Sequence, residues 1–124
     1  MSDLDPFFRY YAERYMASDV DAVSAMYEAP MFALREGRAI HLADRKAVRE
    51  HLTELMAAYA RSGAVRADIA ALDVVPLGKS SVFVTVHWHV RDASGGLLKD
   101  FDSTYHLLRV DADWRILSYT NHDE

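Results

Sequence analysis

The second half of the chain consists of long runs in which apolar and polar residues alternate, broken by short polar turns. The clearest run is 80–92. Val82, Val84, Val86, Trp88 and Val90 share one parity, and Phe83, Thr85, His87, His89 and Arg91 share the other. Side chains on a strand point to opposite faces in turn, so this pattern describes a strand with one wholly apolar face. Runs at about 65–77, 97–110 and 113–122 flank it, with turns at Gly78-Lys79-Ser80, Ser94-Gly95-Gly96 and Asp111-Ala112-Asp113. Short turns between long strands predict an antiparallel meander, and its apolar face must be covered by helices.

The first half supplies those helices. Asp5-Pro6 reads as a helix start, followed by Phe8, Tyr11 and Tyr15 at helical spacing. Ser18-Asp19 caps a short second helix with Val20, Val23, Met26 and Tyr27 on its apolar side. "APMFALREG" reads as a short strand ending at Gly37, with "RAIHLA" as its hairpin partner. Asp44 caps a third helix whose buried stripe is Val48, Leu52, Leu55, Met56 and Tyr59, and Ser62-Gly63 stops it. The expectation is a single α+β domain over 1–124, with three N-terminal helices packed on a strongly curved antiparallel sheet.

Several functional classes are set aside by composition and pattern. A net charge of −5 argues against a nucleic-acid surface, which needs clustered Lys and Arg. No cysteine is present, so disulfides, thiolate nucleophiles and zinc–thiolate sites are excluded. No run approaches the ~20 apolar residues of a membrane span. "MSDLDPFFRYY" is acidic and then aromatic, unlike a signal peptide, and the expected location is cytoplasmic. Phosphate loops, Gly-x-Ser-x-Gly and His-Glu-x-x-His are absent, and no cofactor is called for.

His87-x-His89 places two imidazoles on one strand face, a common beginning of a metal site. Their parity opposes that of the valines, so they face outward. A metal would need a third ligand and partners for the imidazoles, and His106 is a candidate third ligand. The preferred reading is an outer face, carrying Phe83, Thr85, His87, His89, Thr104 and His106, covered by a second subunit, with no metal ligand assigned.

The order of elements resembles the nuclear-transport-factor-two-like superfamily, which includes SnoaL-like cyclases and ketosteroid isomerases. The segments that carry the resemblance are "RYMASDVDAVSAMY", "DRKAVREHL" and "VDADWRILSYTNH". It implies a cone whose inner faces line a cavity, and a fold that hosts many functions. Carried over one position at a time, the isomerases' helix-one tyrosine falls on Tyr11, their general-base aspartate on Arg35, their second oxyanion donor on Tyr105 and a supporting tyrosine on Leu52, beside His51. An arginine stays protonated and cannot abstract a proton, so ketosteroid isomerase chemistry is not expected.

The cavity residues expected on this basis are Tyr11, Arg35, His51 and His122 as candidate catalytic groups, and Tyr15, Trp88, Tyr105 and Thr120 as ligand-binding groups. They suit a small, partly apolar and anionic ligand. Three functions stay open: a small-molecule binding protein; an isomerase-, cyclase- or hydrolase-type enzyme with a His base and Tyr11/Arg35 oxyanion stabilisation; and a dimeric interaction module with an incidental cavity.

Overall fold

A computed structural model describes residues 3–122. The elements run α1 (Leu4–Met16), α2 (Val20–Ser24), β1 (Tyr27–Arg35), β2 (Arg38–Leu42), α3 (Arg45–Arg61), β3 (Arg66–Pro76), β4 (Ser81–Arg91), β5 (Leu97–Val110) and β6 (Asp113–Asn121). Local chemistry sets most of these boundaries. The carboxylates of Asp19 and Asp44 accept from the backbone N–H of Ala22 at 3.1 Å and Ala47 at 2.9 Å, capping α2 and α3 as expected. α3 buries Val48, Leu52 and Met56 and stops at Ser62, with Gly63 taking φ +88°.

Two boundaries differ from expectation. α1 starts before Asp5, with Asp3 at the N-cap. Asp5 and Pro6 then lie in the first turn, where a missing N–H removes no helical hydrogen bond. α2 ends at Ser24, so Met26 and Tyr27 are not on its apolar side. Tyr27 opens β1 instead, and both residues remain buried.

The six strands form one sheet in the order β2-β1-β6-β5-β4-β3. β3 to β6 make the expected meander. The hairpin of β1 and β2, turned at Glu36 and Gly37 with φ 53° and 71°, joins it through a parallel pairing of β1 with β6. The sheet is therefore antiparallel except at that one seam. No local pattern announces a pairing between segments so far apart in sequence.

The parity of β4 holds. Val82, Val84 and Val86 are fully buried and Trp88 and Val90 nearly so. Val82, Val84, Val86 and Trp88 pack with Leu4, Phe8, Tyr11 and Tyr15 of α1, Val23 of α2 and the α3 stripe in one hydrophobic core. Burying each valine contributes about 1.5–3 kcal/mol relative to leaving it in water. Phe83, Thr85, His87, His89, Thr104 and His106 share the outer face, each partly or well exposed.

β6 departs from simple alternation. Ile116 lies opposite Leu107 and Ser118 opposite His106, so Leu117 is an extra residue with no partner on β5. This β-bulge inverts the parity of everything after it. Before it, Trp114 and Ile116 point inward. After it, Tyr119 points inward and Thr120 outward. Among the described residues, no helix is long and apolar enough to cross a membrane.

Candidate functional site

The helices do not fill the cone. Tyr11, Ala12, Tyr15 and Met16 of α1, Leu55 and Tyr59 of α3, and inward residues of five strands enclose a cavity of about 60 Å³. At the ~10–15 Å³ that one water needs, this holds about four to six waters, or a ligand with a similar number of heavy atoms.

Two aromatic hydrogen bonds build the floor. The Tyr11 and Tyr27 hydroxyls are 2.7 Å apart, and Trp88 Nε1 donates to the Tyr105 hydroxyl at 2.9 Å. Tyr11 also stacks on Trp88 at 6.2 Å and meets Tyr105 edge-on at 5.8 Å. Burial pushes the pKa of Tyr11, Tyr15, Tyr27 and Tyr105 above the ordinary phenol value. These phenols therefore keep their protons and serve as hydrogen-bond donors, not as bases.

The wall that carries chemistry is Tyr119. Arg35 Nη1 donates to its hydroxyl at 3.2 Å, and His51 Nε2 lies 2.7 Å from the same oxygen. A guanidinium only donates, so the phenol accepts from Arg35, and with His51 in its Nδ1–H tautomer the phenol proton goes to Nε2. His51 is suited to accept it. Burial, and then the charge of Arg35, hold its pKa below the usual imidazole value and favour the neutral ring. Arg35, phenol and imidazole thus form a directed chain from the cavity wall to α3.

The electrostatics are one-sided. No Asp or Glu lines the cavity among the described residues, and Arg35 is its one cationic lining residue. Lys99 stands nearby, 3.5 Å from the Tyr59 hydroxyl and 4.5 Å above the Phe101 ring. Burial and the nearby Arg35 charge push the Lys99 pKa down. Two cations converge on one end of a mostly aromatic pocket.

Of the residues expected in the cavity, Tyr11, Tyr15, Arg35, Trp88 and Tyr105 line it. His51 reaches it only through Tyr119. Thr120 and His122 are corrected by the Leu117 bulge, which turns both to the outer face. Thr120 is exposed, and His122 Nε2 lies 2.7 Å from Thr104 Oγ1. Their neighbours Tyr119 and Asn121 take the cavity positions instead. "ILSYTN" contains no Gly or Pro to mark the bulge, so strand alternation alone assigns these residues to the wrong faces. Helical spacing places Tyr27 on α2, whereas it opens β1. Tyr59 is legible in the sequence only as part of a buried helical stripe.

His106 is likewise corrected as a candidate third ligand for His87 and His89. It bonds Ser81 Oγ at 2.8 Å and packs on Phe83 at 4.8 Å.

The sequence over residues 2–124 matches the family described as NTF2-like protein (DUF6841). No curated protein matches the chain. Among solved structures, an NTF2-like protein with a cystatin-like fold from Novosphingobium aromaticivorans superposes with a TM-score of 0.76 at 18% identity, covering 97% of this chain and 79% of that one. An NTF-2-like protein of unknown function from Shewanella oneidensis MR-1 gives 0.76 at 14% identity, with 98% of each chain covered. A domain of unknown function with a cystatin-like fold from Nostoc punctiforme gives 0.77 at 16%, covering 99% and 76%. At such identities the likeness shows the fold alone.

Proposed function

The chain belongs to the NTF2-like (DUF6841) family, and on that premise we propose that its cone cavity binds a small, partly apolar, anionic molecule. The observation that carries this reading is the charge arrangement: Arg35 in a cavity wall without a carboxylate, with Lys99 close by. A buried carboxylate or enolate oxygen needs a paired cation and donors, and Arg35 with the protonated phenols supplies both. The aromatic floor suits the apolar body. The cavity's size limits the ligand to roughly a short-chain acid.

The test compares butyrate with 1-butanol, which has a similar body and no charge. In amide NMR titrations, butyrate should shift resonances of cavity residues in a saturable way, and Arg35→Gln should abolish the effect. Equal shifts with 1-butanol, or full butyrate binding by the variant, would refute the reading.

A second reading rests on the His51–Tyr119–Arg35 chain. A ligand proton delivered to the Tyr119 oxygen has an onward acceptor in neutral His51, with Arg35 offsetting developing negative charge on the phenol. That arrangement suits an enzyme of proton-transfer type, with His51 as base. Loss of turnover with retained binding in His51→Gln would separate this reading from simple binding.

The outer face is proposed to be covered by a second copy of the chain. Phe32, Phe83 and Val75 stand 47%, 40% and 55% exposed there, a set of large apolar groups on one face of one sheet.

A further inference from the structure

A metal at His87 and His89 requires a third donor and an anchor for the imidazoles, and β5 provides both. His87 pairs in register with Asp102, and His89 with Asp100. Opposed residues of an antiparallel pair share a face, so two histidines and two aspartates converge. His87 Nε2 lies 2.5 Å from Asp100 Oδ1, and His89 Nε2 lies 3.8 Å from the same oxygen. One donor atom each from His87, His89 and Asp100 falls within 4.8 Å of the others. His87 Nδ1, on the far side of its ring, is 2.6 Å from Asp102 Oδ1.

We propose that His87, His89 and Asp100 bind a divalent transition-metal ion of the zinc type, with Asp102 as the positioning residue for His87. Ligand bonds of ~2.0–2.2 Å in a tetrahedral site place donors about 3.3–3.6 Å apart. The two donor separations above bracket that spacing, so modest side-chain rotations close the site. Two imidazoles and a carboxylate favour zinc, cobalt, nickel or copper over calcium or magnesium, which prefer all-oxygen shells.

Asp102 makes this more than a group of proximal residues. By accepting from Nδ1–H, it fixes the tautomer that leaves the Nε2 lone pair facing Asp100 and His89. In the single chain entry is open, since the His87, His89 and Asp100 side chains are 33%, 28% and 49% exposed. The donors sit on two paired strands, a rigid base that leaves at least one coordination position to solvent.

Arg91 opposes binding. Its guanidinium is held by Asp68 at 3.2 Å and the Gly95 carbonyl at 3.2 Å, with Nη2 3.5 Å from His89 Nδ1. A His89 ring that gives Nε2 to the metal must point its Nδ1 proton at this cation. The site therefore predicts effects of opposite sign from two neighbouring residues.

The experiment uses the untagged full chain, titrated calorimetrically with zinc chloride and spectroscopically with cobalt(II). The expected result is one ion per chain, with visible cobalt bands of tetrahedral or five-coordinate intensity. His89→Ala should weaken zinc binding by at least tenfold, and Asp102→Asn by about 10- to 100-fold. Arg91→Gln should strengthen it several-fold, and His106→Ala should leave it unchanged. These are surface substitutions, and circular dichroism checks that each variant keeps the fold. Absence of stoichiometric zinc uptake, uptake indifferent to His89→Ala, or loss on His106→Ala would each overturn the proposal.

Discussion

Replacing Tyr119 by phenylalanine isolates one oxygen atom at the centre of the candidate site. The ring is 5% exposed and stays in place in the variant, so apolar burial and packing change little. What is lost is the 2.7 Å contact with His51 and the 3.2 Å bond from Arg35. A typical intramolecular hydrogen bond contributes about 0.5–1.5 kcal/mol net. The bond from Arg35 is charge-assisted but longer and half-exposed, so water replaces part of it. The expected destabilisation is about 1–2 kcal/mol in all. Urea unfolding of the wild type, Tyr119→Phe, Arg35→Gln and the double variant measures it, with a coupling between the two sites of about 0.5–1 kcal/mol. Thr120→Val is the control. On the outer face it should stay within about 0.5 kcal/mol of wild type and show no coupling to Arg35. A neutral Tyr119→Phe together with a costly Thr120→Val would show that β6 alternates without a bulge. The chain of three side chains would then be abandoned.

His51 makes stability depend on pH with a defined sign. Its folded pKa lies below the ordinary 6.5, through burial and the charge of Arg35, so the unfolded chain takes up the proton first. Its contribution is present above pH 6.5 and is lost as pH falls through the folded pKa. The stability difference between wild type and His51→Gln should therefore shrink between about pH 7.5 and about pH 5, measured by urea unfolding. A difference that stays constant or grows on acidification would contradict the assignment. Phe83→Glu should convert a dimer into a folded monomer in sedimentation velocity, with circular dichroism unchanged. A wild-type chain that already sediments as a monomer at tens of micromolar removes the proposed outer-face pairing. Phe83 is four residues, or about 13 Å, along β4 from His87, so this variant should leave zinc binding intact.

Much of the fold is legible because its signals are local. Asp19 and Asp44 cap helices through side chains that reach only three residues ahead. The run from Ser81 to Arg91 declares its inner and outer faces by parity alone, and Val82, Val84 and Val86 are buried because no other arrangement covers so much apolar surface. Tyr11, Tyr15, Arg35, Trp88 and Tyr105 could be placed around a cavity by joining that parity to the family resemblance.

Only the tertiary structure decided the rest. Whether β6 carries an extra residue at Leu117 depends on how it fits between β5 on one side and β1 on the other, and nothing in "ILSYTN" encodes that fit. That single residue exchanges Thr120 and His122 for Tyr119 and Asn121 at the cavity wall. The register of β4 on β5 likewise puts Asp100 and Asp102 opposite His89 and His87, residues that alternation assigns to a face but not to partners. Side-chain direction along a strand follows from the amino-acid sequence wherever pleating is regular. Which strand lies alongside, and in what register, is settled by the packing of the whole sheet.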